Sequence, residues 1–389
     1  SGFKSNRAGR RVLIEFVEKS IESKKVLWFQ NTNQYLIVDL PFYDIFFRLL
    51  SGDEKDALLL RCKSKYGLSD TQSKEVIGFS EQLGFQLNEF TSNQKDKEVP
   101  IPNSNEEWIS YNYSYNLKAI KIQFSSEQLK DLIHPKYFHI SSDVNDEDDF
   151  EHTIKVVELN DMVFLVHDDE FVGKWSFKEI HFLLGKLSML LLNGFNNKSD
   201  VDWLAVFHAS AVYSQNKSVL FMGDSGSGKT IAATMLSTKG YKILADDFVP
   251  IGKAPKKVYS FPGALSIKNT IYNKLLALFP QLKGCLSSFV YNTGVKYLYN
   301  FDWSTFSSVN KECKALVFIK YSSFSKNKIS KISKIKALQY LIPDTWIYPN
   351  KEHVSVFLDW VCEKPIYIIH YTDNQYLKMC VDELFNNEV

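Results

Sequence analysis

The sequence predicts an α/β protein whose main domain contains a phosphate-binding loop and is preceded by a small α+β domain. Two observations carry this prediction. Residues 219–247 pass from a strand-like run through a glycine-rich motif to a helical stretch and a second strand, and residues 12–84 place short strand-like runs before three helical periodicities. At roughly 100–200 residues per domain, 389 residues allow two or three domains.

The early strands of the smaller domain are expected at 12–17, 26–29 and 35–38, the last two forming a hairpin. Three helices follow: from Pro41 towards Gly52, from Lys55 to Tyr66, and from Ser69 or Asp70 to just before Gly84. Residues 93–105 lose apolar periodicity and carry two prolines, which is typical of a linker. We therefore place a winged-helix-like domain at 1–92, a linker at 93–105 and a second domain at 106–389.

The composition argues against several classes of partner. Lysine and arginine total 46 and acidic residues 45, so no overall field favours nucleic acid. The longest apolar run, residues 182–192, is short and interrupted by Lys186, so no membrane span is expected. The N-terminus lacks the apolar core of a signal peptide, and we expect a cytoplasmic protein. The five cysteines are widely spaced, as buried free thiols are.

The second domain begins with strands expected at 118–124, 153–158 and 162–167. Its main motif has the pattern G-x-x-x-x-G-K-T, in which glycines let backbone N–H groups surround phosphate at a helix N-terminus. Lys229 would reach the β- and γ-phosphates, and the Thr230 hydroxyl would ligate Mg²⁺. The motif predicts a site for ATP or another nucleoside triphosphate, formed by Gly223, Asp224, Ser225, Gly226, Ser227, Gly228, Lys229 and Thr230.

A second apolar strand, 241–245, ends in Asp246 and Asp247. In a right-handed βαβ unit it would run parallel to the first strand, and both carboxylates would face the phosphates. Adjacent residues of an extended chain point to opposite sides, so one acid can bind the metal while the other faces the acceptor. The alternative is a polar strand end or a helix cap. His208, between apolar residues, would by itself be a core histidine.

The order His-Ala-x-Ala-Val, Gly-x-x-Gly-x-Gly-Lys-Thr and Leu-Ala-Asp-Asp resembles the catalytic domain of the HPr kinase/phosphorylase family, which shares its fold with phosphoenolpyruvate carboxykinase. The resemblance implies Asp247 as the base, Asp246 and Thr230 at the metal, and His208 as a contact either to the phosphates or to the residues around them. The catalytic residues would then be Asp247, His208 and Lys229. Weaker matches add Lys268, Asn269 and Lys296 as substrate contacts. The glycine-rich signature of the bifunctional enzymes is missing, so the resemblance is to the divergent branch of the family.

Residues 26–90 resemble PqqD-like domains, which bind leader peptides in the biosynthesis of ribosomally made peptide natural products (RiPP biosynthesis). In that family the leader adds as a strand beside the third strand and lies against the third helix. The corresponding residues would be Tyr35, Leu36, Ile37 and Val38 on the strand, and Lys74, Ile77 and Gly78 on the helix. The alternative is a winged-helix module that binds DNA or only packs on its neighbour.

Three hypotheses follow. The first is an ATP- and Mg²⁺-dependent kinase that phosphorylates a Ser or Thr hydroxyl of a precursor peptide recruited through its leader. The second is a kinase of a small alcohol such as a free amino acid or a sugar. The third is a nucleotide-responsive winged-helix regulator, which the neutral charge disfavours. Relatives of this catalytic domain commonly assemble symmetrically, and the residues leave a homo-oligomer open.

Overall fold

The computed structural model describes residues 2–7, 10–89, 108–145, 149–290, 293–299, 307–324 and 326–386. The predicted linker, 93–105, lies outside the described residues. The architecture is mixed α/β, as the sequence predicts. Among the described helices, none combines the length and the apolar character that crossing a bilayer requires. The helices are α1 (Leu40–Ser51), α2 (Lys55–Tyr66), α3 (Asp70–Glu89), α4 (Glu127–Tyr137), α5 (Ile180–Asn196), α6 (Lys229–Ser237), α7 (Asn269–Leu276), α8 (Lys334–Leu341), α9 (Lys351–Glu363) and α10 (Asn374–Asn386).

The strands divide among several sheets. They are β1 (Gly2–Arg7), β2 (Arg10–Ile21), β3 (Lys24–Phe29), β4 (Gln34–Asp39), β5 (Ile109–Tyr115), β6 (Lys118–Phe124), β7 (Ser141–Asp143), β8 (His152–Leu159), β9 (Met162–His167), β10 (Glu170–Ser176), β11 (Trp203–Phe207), β12 (Ser210–Ser214), β13 (Lys217–Met222), β14 (Lys242–Asp246), β15 (Val249–Gly252), β16 (Val258–Tyr259), β17 (Leu265–Lys268), β18 (Ser287–Val290), β19 (Thr293–Leu298), β20 (Asn310–Tyr321), β21 (Lys328–Lys331), β22 (Thr345–Ile347) and β23 (Ile366–Tyr371).

The chain divides into two compact units. The first contains Ser1–Asp96 and Ile332–Glu363, and the second contains Lys97–Lys331 and Lys364–Val389. The sequence analysis assigned residues 332–363 to the second domain, whereas their contacts group α8 and α9 with the N-terminal sheet.

The first unit is built on an antiparallel sheet in the order β1-β2-β3-β4. Opposite residues of paired strands share a face, so Phe16 and its partner Phe29 lie on the side that α1 and α3 cover. The other face carries Trp28, which is fully buried. Glu15 and Lys19 lie on that same face and pair with Lys351 and Asp359 of α9. The sheet is therefore covered by helices on both sides.

The predicted ends of the first two helices are confirmed. Gly52 and Gly67 terminate α1 and α2 with φ of 98° and 64°, a left-handed conformation that glycine adopts without strain. The third helix was expected to stop before Gly84, and that is wrong. It continues to Glu89 because Leu87 extends the apolar stripe into the core, and because Gly84 in helical conformation packs beside Leu50 of α1.

The second unit holds three sheets. A six-stranded sheet has the order β10-β9-β8-β6-β5-β7, and its strands β6, β8 and β9 confirm the three strands predicted before residue 168. The largest sheet runs β14-β12-β13-β20-β16-β15-β11, with β23 beside β20 and β21 beside β23. A three-stranded sheet, β17-β19-β18, completes the unit.

The predicted βαβ unit is present with one change. Strand β14 runs in the same direction as β13, but β12 lies between them and is antiparallel to both. Helix α6 packs its buried alanines, Ala232 and Ala233, on this sheet. The carboxyl ends of β13 and β14 therefore meet at one edge, separated by the beginning of β12.

Two glycines of the first unit should respond oppositely to alanine. Gly78 lies within α3, and a Cβ there would meet no atom within 4 Å, so Gly78→Ala should stabilise the protein by about 0.5–1 kcal/mol. Gly52 has φ of 98°, so Gly52→Ala should destabilise it by about 1 kcal/mol or more. Urea unfolding monitored by circular dichroism measures both. Destabilisation by Gly78→Ala would contradict the open position of that residue on α3.

Candidate phosphate-binding site

The loop of residues 223–228 joins β13 to α6 and is the candidate phosphate-binding loop. Gly228 precedes the helix with φ of 101°. Gly223 has φ of 140°, and a Cβ there would lie 2.7 Å from Ser227 Oγ and 3.1 Å from the Ile319 carbonyl oxygen. Both positions therefore require glycine. The loop delivers its backbone to the N-terminus of a nine-residue helix, whose dipole favours an anion.

Lys229 lies over this loop. Its side chain is buried, and Nζ donates to the carbonyl oxygens of Gly223 at 2.6 Å and Asp224 at 3.3 Å. These bonds hold the ammonium group at the start of α6, next to the backbone that would surround phosphate. The ammonium group of Lys229 therefore lies beside the backbone of residues 223 and 224.

Asp246 ends β14 and is almost fully buried. Thr230 Oγ1 lies 3.1 and 3.0 Å from its two carboxylate oxygens, and Ser210 Oγ also donates to it. Burial raises the pKa of Asp246, and the charge of Asp247 raises it further, while the two hydroxyl donors act in the opposite direction. The hydroxyl of Thr230 and the carboxylate of Asp246 are oxygen donors of the kind that Mg²⁺ prefers, and they fit that ion.

Asp247 takes a different environment. Its φ of 61° turns the chain out of the strand, so the extended backbone assumed for the acidic pair ends at Asp246. Its carboxylate lies 3.9 Å from Lys136 Nζ. Burial acts to raise the pKa of Asp247, but the charges of Lys136 and His208 and a hydrogen bond from Ser266 outweigh it and lower the pKa. The group is therefore an ionised proton acceptor at neutral pH.

Three of these neighbours were missed by the sequence analysis. Lys136 belongs to α4, and nothing in its local sequence distinguishes it from a surface lysine. Burial acts to lower the pKa of Lys136, but the charge of Asp247 outweighs this effect and the pKa is raised. Ser266 lies on β17, later in the chain than Asp247. Ser210 had a detectable signature, a small polar residue between alanines in an apolar strand, beside the His208 that was singled out.

A cavity of about 730 Å³ in the second unit brings these groups together. The walls include His208, which is exposed in the turn between β11 and β12, and Lys268, whose Nζ donates to Ser225 Oγ at 3.1 Å. Helices α4 and α5 supply an apolar wall that includes Leu132, Leu184 and Leu187. The predicted site residues lining the cavity are His208, Ser225, Gly226, Gly228, Lys229, Thr230, Asp247 and Lys268.

Two predicted substrate contacts of this unit lie elsewhere. Asn269 begins α7, and its side-chain amide packs against Gly294. A Cβ added to Gly294 would lie only 2.0 Å from Asn269 Nδ2. Lys296 alternates along β19 with the cavity-lining Val295 and Tyr297, so it occupies the opposite face of the strand. Its Nζ donates to the Cys285 carbonyl oxygen at 3.4 Å. The alternation along β19 therefore directs Lys296 away from the cavity.

In the first unit, the predicted peptide contacts divide into two groups. Tyr35, Leu36, Ile37 and Val38 lie on β4, which among the described residues pairs only with β3. Lys74 and Gly78 are exposed on α3. Ile77 is instead 5% exposed and packs with Ile45, Leu58 and Cys62. Its helical position points into the core of the three helices, so its assignment to a peptide groove needs correction.

A lysine pair tests the phosphate site. Lys229→Ala removes the ammonium group from the loop and should weaken ATP binding by about 2–4 kcal/mol, because a partly desolvated charge contact is lost. Lys296→Ala removes a lysine on the far face of β19 and should leave the affinity unchanged. Isothermal titration calorimetry with ATP and Mg²⁺ measures both. Equal affinities for the wild type and a folded Lys229→Ala protein would contradict the site.

The comparisons with known proteins give one structural likeness to report. No family model and no curated protein matches the sequence. The HPr(Ser) kinase/phosphatase from Coxiella burnetii is similar to this chain at 10% sequence identity, over 47% of this chain and 94% of that chain, with a TM-score of 0.22. A score this low carries no argument about activity. The candidate site therefore stands on its own residues and geometry.

Proposed function

We propose that this chain is an ATP- and Mg²⁺-dependent kinase that transfers the γ-phosphoryl group to a serine or threonine hydroxyl of a peptide. The observation that carries the proposal is the meeting of Lys229, at a helix N-terminus, and the ionised Asp247 in one cavity. A phosphate cradle and a proton acceptor side by side are the two parts that phosphoryl transfer to an alcohol requires.

The cations of the site are lysines. All five arginines precede residue 62, so the second unit has only lysine and histidine for positively charged side-chain contacts to phosphate. Lys229 lies on the loop, Lys268 reaches Ser225, and Lys136 lies beside Asp247. Lys229 and Lys268 would neutralise the nucleotide phosphates, whereas Lys136 serves the base.

The metal position would be formed by Thr230 and Asp246. Their oxygen atoms are already within 3.1 Å of each other at the start of α6, and Ser210 holds the same carboxylate from β12. When bound there, Mg²⁺ would offset the negative charge of the phosphates. The chain contributes the orientation of these oxygens, which the buried hydrogen bonds fix in advance.

Asp247 would act as the base. As the substrate oxygen forms its bond to the γ-phosphorus, its proton passes to the Asp247 carboxylate, and the bond from that phosphorus to the ADP oxygen breaks. Lys136 keeps the carboxylate ionised before the transfer. The apolar wall from α4 and α5 limits competing water. His208, exposed beside Asp247, would contact phosphate.

Asp247→Asn separates binding from chemistry. The amide keeps the shape of the side chain but cannot accept the proton, so turnover should fall roughly 10²–10⁴-fold while ATP affinity changes little. Asp161→Asn, in an exposed turn of the same unit, is the matched control and should keep full activity. Release of ADP and phosphorylation of the peptide are measured together. Near-normal turnover of Asp247→Asn would refute Asp247 as the base.

The peptide acceptor is proposed from the edge of the first unit's sheet. Residues 35–38 of β4 are Tyr-Leu-Ile-Val, without the lysine, proline or bulge that usually protects an edge strand. Tyr35, Leu36 and Ile37 are half-buried. Beside the sheet, Phe42 and the exposed Phe79 bring their rings to 5.3 Å. An extended peptide could add to this edge through main-chain hydrogen bonds.

Proline at Leu36 and at Ile37 tests this edge. Neighbouring residues of β4 direct their N–H groups alternately towards β3 and away from it. The proline that removes the outward N–H should keep the fold and weaken peptide binding about tenfold, and the other should mainly destabilise the sheet. Binding is measured with a fluorescently labelled candidate precursor peptide, chosen from short reading frames near the gene. The full chain is used, because residues 332–363 belong to the same unit.

The same assay separates the alternatives. Unchanged peptide binding in both folded proline variants would refute recognition by β4. If, in addition, a free amino acid or sugar were phosphorylated with dependence on Asp247, the small-alcohol kinase would replace the peptide kinase. Gly78→Ala adds an independent check, since it should preserve the fold and would weaken binding only if the peptide passes close to α3.

A further inference from the structure

A cluster of two histidines and a carboxylate lies at one end of the six-stranded sheet, with no role in the proposed kinase chemistry. His152 begins β8 and His167 ends β9. Because His167 lies opposite Ile154, two residues after His152, both imidazoles are on the same face of the sheet. Asp168 follows directly in the turn to β10. One donor atom from each side chain lies within 4.8 Å of the others.

We propose that His152, His167 and Asp168 bind a divalent transition metal ion of the zinc class. His152 Nδ1 lies 2.7 Å from Asp168 Oδ2, and His167 Nε2 lies 3.5 Å from the same oxygen. Ligands about 2.0–2.2 Å from a tetrahedral zinc ion are about 3.3–3.6 Å apart, so small side-chain adjustments would complete the arrangement.

The carboxylate is held in place by the backbone. Asp168 N donates to the Thr153 carbonyl oxygen at 2.9 Å, and Asp168 Oδ1 accepts from Thr153 N at 2.8 Å. The second of these bonds occupies Oδ1, and Oδ2 is the oxygen that lies near the two histidines. The turn needs positive φ at Asp168 and Asp169, 49° and 64°, which asparagine or glycine would satisfy as well. The turn geometry alone therefore does not call for a carboxylate here.

The first histidine is also fixed by packing. Helix α5 approaches it at Gly194, where a Cβ would lie 3.2 Å from His152 Cδ2 and 2.6 Å from Ile120 Cδ1. The rings of His152 and His167 have centroids 4.8 Å apart. Rings held at this spacing with a shared carboxylate need little rearrangement to accept a cation, which reduces the entropic cost of binding.

The donor set indicates which metal would bind. Two imidazole nitrogens and one carboxylate oxygen suit zinc and its neighbours, whereas Mg²⁺ and Ca²⁺ prefer oxygen ligands alone. The three side chains are 28–45% exposed, so water can take the remaining position. Such an ion would tie the β9–β10 turn to the beginning of β8, stabilising the sheet on which α5 packs.

The test uses the full chain, stripped of metal with a chelator and kept free of nucleotide. Zn²⁺ is titrated against a chromophoric chelator in the presence of excess Mg²⁺, which occupies oxygen-only sites. We expect one equivalent of bound Zn²⁺ and a rise in the melting temperature with Zn²⁺. Co²⁺ in place of Zn²⁺ should give the visible absorption of a four- or five-coordinate ion.

Two variants and two controls decide the outcome. Asp168→Asn keeps the acceptor for Thr153 N but removes the charge, and His167→Gln removes one imidazole; each should weaken Zn²⁺ binding at least tenfold. His370→Gln and Cys362→Ser, which lie outside the cluster, should leave it unchanged. Circular dichroism confirms that each variant is folded. Absence of stoichiometric Zn²⁺ in the wild type, or its retention in both cluster variants, would overturn the proposal.

Discussion

The candidate site depends on one buried carboxylate. Asp246 lies at the end of β14 with almost no exposure, and it would be costly there without partners. Ser210 donates to it from β12, and Thr230 donates from the first turn of α6. These bonds join two strands and the helix that follows the phosphate loop. Removing Asp246 would leave two hydroxyls without this acceptor and would remove the polar link between the start of α6 and the two strands.

The parts of the site that are local in sequence could be predicted. The glycine-rich loop could be predicted from eight consecutive residues. Its glycines mark positions where the backbone has positive φ, as it does at Gly223 and Gly228, and other residues rarely adopt that conformation. The acidic pair follows from its place after a strand. The insertion of β12 between β13 and β14 could not be predicted, because hydrophobic periodicity gives no strand order. Lys136 reaches Asp247 from another part of the chain, and only tertiary structure distinguishes it from other helical lysines.

The first unit shows the same division. Its hairpin and the bounds of α1 and α2 follow from turn residues and apolar spacing. The helix that covers the Trp28 face of the sheet could not be predicted in this way. This helix, α9, lies more than 300 residues later in the chain and is held partly by the ion pairs Lys19–Asp359 and Glu15–Lys351. The sequence around charged residues of this kind does not indicate which residue each will pair with. Ile77 was assigned to a peptide groove by resemblance alone, whereas its contacts place it in the core of the three helices.

The two neighbouring acids acquire different chemistry through a single backbone turn. Asp246 remains in the strand, where burial raises its pKa and hydroxyl groups hold it. The backbone of Asp247 has positive φ, and its own carboxylate lies near Lys136. The charge of Lys136 lowers the pKa of Asp247 and keeps that carboxylate ionised. A pair of groups whose environments drive their pKa values apart is suited to two separate tasks. Asp246 is costly to ionise by itself, so it gains most from a bound cation. Asp247 is readily ionised and is free to accept a proton. For this reason we propose Asp246 for the metal and Asp247 for the base, and not the reverse.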